Sequence, residues 1–299
     1  MDRLHLMTVF VSVAEAQSFA GAARRLGMSP PAVTRAIAAL EERLGTKLLT
    51  RTTRFVRTTD AGLRYLEQVR RIIAEADEAD EAAVGAHTAP RGRLAVTAPV
   101  LFGAMFVMPG IVDYLKRYPE VSVSALFLDR VVNLLEEGLD VGVRIGELPD
   151  STMRAIPVGL VRRVVCAAPK YLKQHDVPNE PSELARHTII SSSPVSPTTE
   201  WRFGAARKGV SVTVSPRLTV NNNDAAIRAA LDGVGITRLM SYQIAAHVAA
   251  GRLSPILAVH EPPALPIHVM HHDAQRASAK VRSFVDLLVD RLRGDTALM

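Results

Sequence analysis

The sequence predicts a protein of mixed class: an all-α N-terminal unit, one long helix, and a large α/β domain behind it. Three observations carry this expectation. Apolar residues recur at helical spacing over residues 4–44, punctuated by Gly27 and Gly45. Residues 63–84 contain neither Gly nor Pro. Beyond Pro90-Arg91-Gly92, short runs rich in Val and Ile alternate with helical segments. A chain of 299 residues has room for about two domains of ~100–200 residues each. With 48% hydrophobic and 22% charged residues it is neither disordered nor fibrous. Its one cysteine, Cys166, allows no internal disulfide and no zinc–thiolate cluster, which fits a reducing compartment. No window offers ~20 uninterrupted apolar residues and the N-terminus lacks a leader pattern, so a cytoplasmic protein without a membrane span is expected.

In the first helix Leu4, Met7, Val11 and Ala14 form a stripe that Leu6, Phe10 and Val13 widen, the pattern of a core helix. Ser18 caps a short second helix whose apolar positions are Phe19, Ala22, Ala23 and Leu26, and Gly27 ends it. Ser29 and Pro30 open a third helix, because a proline at the first helical position forfeits no hydrogen bond. Its buried face is expected at Val33, Ile37, Leu40 and Leu44, with Thr34, Arg35, Ala38 and Glu41 facing the other way. Two helices joined by a short glycine turn behind a supporting helix form a helix-turn-helix, whose second helix enters the DNA major groove N-terminus first. Small residues at its start allow close approach to base edges, and Arg35 reaches guanine or phosphate.

Between Ala20 and Arg71 eleven Lys/Arg stand against four acids, a surplus of seven in a chain whose whole net charge is +6. Such a concentration points to a polyanion partner. Within it, residues 47–59 are rich in β-branched and basic residues and read as a two-stranded wing. Arg51, Arg54 and Arg57 recur along it, placed to grip phosphates or enter a minor groove. From Leu63 to Val84 a helix of about 33 Å follows at ~1.5 Å per residue. Leu66, Val69, Ile73, Ala76 and Ala83 keep the spacing of a two-stranded seam, so a dimerisation helix is expected.

The stretch Ser18-Phe19-Ala20-Gly21-Ala22-Ala23-Arg24-Arg25-Leu26-Gly27-Met28-Ser29-Pro30-Pro31-Ala32-Val33-Thr34-Arg35-Ala36-Ile37, with Leu40-Glu41, Leu44-Gly45, Leu48-Leu49-Thr50-Arg51 and Thr59-Asp60-Ala61-Gly62, resembles the winged helix-turn-helix of LysR-type transcriptional regulators, without a gap over about sixty residues. The resemblance implies DNA binding through Ser29, Pro30, Pro31, Thr34 and Arg35, with Arg51 and Arg54 from the wing. Pro30 stands where the family often has Gln and Leu49 where it often has Phe; a proline cannot read an adenine edge as a glutamine does. Leu135 to Gly146, Ala168-Pro169-Lys170-Tyr171-Leu172 and Asn221-Asn222-Asn223-Asp224 are similar to the effector domain of the same family, which has the two-lobed fold of periplasmic solute-binding proteins.

The expected architecture is therefore an N-terminal all-α winged helix-turn-helix (1–58), a linker and dimerisation helix (59–86) with Leu66, Val69, Ile73 and Ala76 in its seam, and a C-terminal α/β two-lobed periplasmic-binding-protein-like effector domain (91–299). Lobe one takes 91–162 and 267–299, lobe two 163–266. Strands are expected at Leu94–Thr97, Val121–Leu128, Val141–Ile145, Val164–Ala167, Thr188–Ser191, Val210–Val220, Gly235–Thr237 and Pro266–Met270 in mostly parallel sheets. Helices are expected at Phe102–Tyr118, Val131–Glu137, Asp224–Leu231 and Ala279–Arg293.

Ligands of such sheets bind beyond the carboxyl ends of strands. That rule selects Thr97, Pro99, Val100 and Leu101, then Leu128, then Arg144 and Glu147, then Asn222 and Asp224. Backbone N–H groups near Pro99–Leu101 and Asn222–Asp224 would anchor a small organic effector, anionic or aromatic. Arg144 is either its counter-charge or paired with Glu147 or Asp140.

Other chemistries lack their signatures. Gly233-Val234-Gly235 has no third glycine of a dinucleotide loop and no phosphate loop is present. His271-His272 alternate faces in an extended run and cannot chelate one metal, Ser191–Ser193 near His187 lack a nucleophile elbow, and Cys166 reads as a small buried hydrophobe. The function read here is a non-enzymatic, effector-responsive transcriptional regulator without metal or cofactor. Its partners would be an operator with an interrupted inverted repeat, a small effector, a second copy in a dimer or tetramer, and RNA polymerase where it activates. The competing reading is a solute-binding or enzymatic α/β domain whose helix-turn-helix serves protein contact.

Overall fold

The computed structural model describes residues 2–51, 56–84, 89–148, 153–192, 200–204, 209–272 and 278–298. The chain divides into two compact units, Met1–Ala86 and His87–Met299.

In the first unit α1 (Arg3–Ala16), α2 (Phe19–Leu26) and α3 (Pro30–Leu44) surround Phe10, Val13, Val33 and Leu40, none of which is exposed. Ser18 Oγ accepts the Gly21 N–H at 3.1 Å, which caps α2. Gly27 and Gly45 both adopt left-handed φ, +62° and +65°, where a side chain would be strained. An antiparallel hairpin follows, β1 (Leu49–Arg51) with β2 (Val56–Thr58). Thr59 then starts α4 (Asp60–Val84), its hydroxyl accepting the Gly62 N–H at 2.9 Å. A Cβ at Gly62 would fall on the Leu48 carbonyl oxygen, so only glycine lets this helix lie so close to the wing.

Two expectations for this unit need correction. Leu66 and Val69, assigned to a dimer seam, are buried (9% and 0% exposed) in the chain's own core, because α4 lies along α1. Among the described residues of α4, Leu63 and Ile72 are the exposed apolar groups and Ile73 and Ala76 are half-buried. Leu44, expected inside, is exposed, whereas Glu41, expected outside, is only 8% exposed.

The second unit has two mixed sheets. β3 (Gly92–Ala98), the helical stretch α5 (Val100–Phe102), a π-turn (Gly103–Val107) and α6 (Met108–Arg117) lead to β4 (Val121–Phe127), then β5 (Val141–Ile145) and β6 (Met153–Val161). The chain then passes to β7 (Arg163–Ala167), α7 (Pro169–His175), β8 (Ile189–Ser192), the β9 (Glu200–Phe203) and β10 (Val210–Thr213) hairpin, and β11 (Pro216–Val220). α8 (Asn223–Leu231), β12 (Ile236–Met240), α9 (Ser241–Ala249) and β13 (Ser254–Ile256) complete that part, and β14 (Leu265–His272) and α10 (Ala279–Arg293) end the chain.

Strand order is β4-β3-β5-β14-β6 in one sheet and β11-β8-β12-β7-β13 in the other. We call these lobe one and lobe two. β4, β3 and β5 run parallel, as do β11, β8 and β12, but β14, β6, β7 and β13 join antiparallel, so the sheets are mixed rather than mostly parallel. β14 joins lobe one from Leu265, slightly ahead of the expected crossing.

The helix expected over Val131–Glu137 is absent: 134–138 form turns ending at Gly138, with Asn133 Oδ1 accepting the Leu135 N–H at 3.1 Å in place of a backbone acceptor. The strand expected over Val210–Val220 is two, because its halves pair with different neighbours, β9 and β8. Among the described residues no helix is long and apolar enough to cross a membrane.

Candidate functional site

At the start of α3, Ser29 is extended and its carbonyl accepts the Ala32 and Val33 N–H groups at 2.9 and 3.1 Å, while its hydroxyl makes no cap bond. Ser29, Pro30, Pro31 and Arg35 are exposed and Thr34 is half-buried, so the first turn presents a hydroxyl, two compact pyrrolidine rings and a guanidinium on one open surface. Val33, Ala36, Ile37 and Leu40 hold that turn from behind. Of the wing arginines, Arg57 is exposed on β2, Arg51 belongs to β1 with its side chain outside the described set, and Arg54 lies outside the described residues.

Glu41 joins these parts. Its Oε1 accepts the Leu48 and Leu49 N–H groups at 2.9 and 3.1 Å and its Oε2 takes Lys47 Nζ at 2.7 Å, which fastens the first wing strand to the recognition helix. Burial alone would raise this carboxyl, but the Lys47 ammonium and the Leu49 and Leu48 N–H groups outweigh it and hold the group below the ordinary carboxylate range. The cue was available in the spacing: Glu41 stands one helical turn after Ile37, on the buried stripe.

In the second unit a cavity of about 780 Å³ opens between the lobes. Pro99, Leu128, Arg144 and Glu147 line it, whereas Thr97, Val100, Leu101, Asn222 and Asp224 do not. The reasons are local. Thr97 is buried and donates to the Leu126 carbonyl at 2.7 Å, the Val100 N–H is taken by Asp129 Oδ1 at 2.9 Å, and Leu101 packs between two cores. Asn222 spends its Oδ1 capping α8 through the Ala225 N–H at 2.8 Å, and the exposed Asp224 leaves that wall to Asn223, which meets Ser192 Oγ at 2.7 Å.

Arg144 pairs with neither Glu147 nor Asp140. Its guanidinium donates to the Arg130 and Val132 carbonyls at 3.2 and 2.6 Å, while Asp140 accepts the Ala95 N–H at 2.7 Å. Arg130 grips Glu137 bidentately at 2.7 and 2.8 Å. These two arginines brace the loop that forms one cavity wall. The lobes also share an aromatic contact, with Tyr242 of α9 lying 5.4 Å from Phe102 and 5.7 Å from Phe106 between ring centroids. Sequence reasoning missed Arg163, Arg238, Met240 and Tyr242 in the cavity wall. The cue for Arg238, a lone charge in an apolar strand, is the one that singled out Arg144, whereas Arg163 follows Arg162 at the start of β7 and offered no such signal.

Cys166 is fully buried in β7, and burial pushes its thiol up to about 12. His271 is buried and His272 reaches the cavity.

A recognition helix with an open first turn and a braced wing, in one chain with a two-lobed domain enclosing a cavity, defines a ligand-responsive DNA-binding protein. Residues 4–63 match the bacterial regulatory helix-turn-helix proteins of the lysR family and residues 87–293 match the LysR substrate binding domain. The transcriptional regulator CrgA of Neisseria meningitidis is 32% identical over 287 residues, 96% of either chain, and its solved structure superposes with a TM-score of 0.63 over 97% of this chain and 99% of that one. PtxR of Pseudomonas aeruginosa is 32% identical over 289 residues, 97% of this chain and 93% of its own. AphB of Vibrio cholerae, 23% identical, shares the fold with a TM-score of 0.61 over 97% of this chain and 99% of that one. The chain belongs to the LysR family of transcriptional regulators, with a DNA-binding helix-turn-helix and an effector-binding substrate domain.

Proposed function

We propose that the protein occupies an operator built as an interrupted inverted repeat, as a homo-oligomer, and that a small molecule in the inter-lobe cavity sets how the operator is held. The cavity carries this reading: its walls come from both lobes, so a ligand touching both favours one lobe spacing over another, and a ligand shifts an equilibrium only through such differential contact. Contacts to DNA come from Ser29, Pro30, Pro31, Thr34 and Arg35 in the groove, with Arg51 and Arg54 on phosphates. The protein performs no chemistry on its effector, needs no further cofactor, works in the cytoplasm where its operator lies, and touches RNA polymerase where it activates.

The test starts from the protein alone. Selection from a random duplex library gives the bound sequence, and anisotropy on the selected duplex, with and without compounds found by thermal shift, measures the response. The variant Met270→Trp fills the cavity from β14 and should abolish that response. A response preserved in this variant places the effector elsewhere.

A further inference from the structure

The two strands β7 and β12 pair antiparallel with Met240 opposite Arg163 and Arg238 opposite Val165. Residues two apart on a strand share a face, so Arg163 and Arg238 stand side by side on one face of lobe two, and both reach the cavity. The Arg238 guanidinium lies over the ring of Trp201, 4.8 Å from its centroid, and Trp201 is itself buried. Among the described residues no carboxylate forms an ion pair with either arginine. Burial holds both guanidiniums below their ordinary range, and the neighbouring Arg163 charge adds to this at Arg238, which falls to about 10. The other two arginines of the cavity are already engaged, Arg130 by Glu137 and Arg144 by carbonyls. Two like charges held together and partly desolvated lack the counter-charge that such a pair requires.

The facing wall of lobe one carries an apolar patch beside Asp129, Arg130, Arg144 and Glu147; Asp129 is held by the Val100 N–H. Leu128, Leu134, Met153 and Met270 belong to one apolar cluster of lobe one and border the same cavity. An inorganic anion would satisfy the arginines and leave that wall wet. A neutral apolar molecule would cover the wall and leave the guanidiniums unpaired.

We propose that the cavity takes an amphiphilic organic acid, its carboxylate received jointly by Arg163 and Arg238 of lobe two and its apolar body laid on the Leu134–Met270 wall of lobe one. The proposal rests on the reading of the cavity as the effector site and names the class of effector. The volume suits a small aromatic or medium-chain acid, being within the usual ~300–1,000 Å³ of ligand sites. Guanidinium forks match a carboxylate bidentately, and contact with the Trp201 ring holds one of them in place.

The test uses the full chain and three probe acids, benzoate, 3-phenylpropanoate and octanoate, with benzamide and inorganic phosphate as comparators. Trp201 is the single tryptophan, so its emission reports occupancy at Arg238 directly. The acids should perturb that emission and raise the melting temperature. Calorimetric titration should show benzamide weaker than benzoate by about tenfold or more, the loss expected for one charge-assisted pair. Arg238→Gln and Arg163→Gln should weaken the acids by a similar factor, with Arg238→Lys intermediate. Without ligand, Arg163→Gln should melt close to wild type, since it removes a half-buried charge that has no ion-pair partner, and Arg238→Gln should melt slightly lower because it also gives up the Trp201 stack; a cooperative transition in each shows that they fold.

The class is overturned if none of the acids binds below about 10 mM, if benzamide matches benzoate, if the variants bind the acids as wild type does, or if phosphate binds as tightly through the same arginines. Operator binding measured alongside separates the two readings. Acids that bind through Arg238 without altering operator binding keep the class and remove the effector role. An uncharged compound that alters operator binding, and loses that effect in Met270→Trp while the acids fail to bind, keeps the role and removes the class.

Discussion

Replacing Glu41 tests how the DNA-reading surface is held together. In Glu41→Ala the buried N–H groups of Leu48 and Leu49 lose the one oxygen that accepts both. Each such group left without a partner costs about 1–3 kcal/mol. Water entering beside the exposed Lys47 recovers part of this, so a local loss of about 2–4 kcal/mol is expected. Lys47 is 77% exposed and its ion pair adds little. Glu41→Gln keeps an oxygen for both N–H groups but replaces the Lys47 acceptor with an amide NH2, and because Lys47 is exposed it should cost about 1 kcal/mol.

Hydrogen exchange of the full chain reads this directly. A loss of 2–4 kcal/mol speeds exchange at Leu48 and Leu49 roughly 30- to 1,000-fold in the alanine variant, against about fivefold in the glutamine variant. The pH dependence has a definite sign. A carboxyl held below its ordinary value contributes stability that is present above the unfolded value of about 4.3 and is lost as pH falls through the folded one. The gap between wild type and Glu41→Gln should therefore close below about pH 4. Exchange in Glu41→Ala as slow as in wild type would refute the anchoring role.

Arg51→Ala and Arg54→Ala should each weaken operator binding and reduce the slope of log affinity against log salt by ~0.9 for each phosphate the wing no longer neutralises; anisotropy across a salt series measures it, and an unchanged slope in both removes the wing from the DNA surface. Ile72→Glu should weaken self-association through α4 because Ile72 is exposed there, while Leu66→Glu should unfold the N-terminal unit instead, because Leu66 is in its core; light scattering alongside circular dichroism separates the outcomes, and a folded Leu66→Glu protein that fails to associate would restore the original seam. Cys166, buried with its thiol pushed up to about 12, should react with a maleimide only as fast as the fold opens; prompt labelling at neutral pH contradicts its burial.

What was legible in the sequence is what neighbouring residues decide. Ser18, Gly27, Pro30 and Gly45 bound their helices through local backbone chemistry, so the helix-turn-helix is readable from spacing. Val141–Ile145 and Ala279–Arg293 have the expected limits for the same reason. Strand β6 escaped because Pro157 and Gly159 interrupt it; the sheet absorbs them with a register shift between Ile267 and His268 of β14, a partner more than a hundred residues away. Glu41 was misread because its charge argued for solvent while its hydrogen-bond donors lie in the wing. The cavity residues were half legible. Pro99, Leu128, Arg144 and Glu147 follow from the rule about strand ends, whereas Arg163 and Arg238 meet only once β7 and β12 pair.

The position of β14 bears on how the chain is made. It lies inside lobe one, between β5 and β6, yet it is the last strand to leave the ribosome. When β13 has emerged, every strand of lobe two is available and that sheet can close. Lobe one at that moment has β4, β3 and β5 with an open edge, and β6 has nothing to pair with. At about 5–20 residues per second this interval lasts seconds. During it the exposed edge of β5 is a template for any other strand. Nascent-chain release before β14 therefore yields a product with one finished lobe and one unfinished sheet, the form that quality-control proteases would meet first.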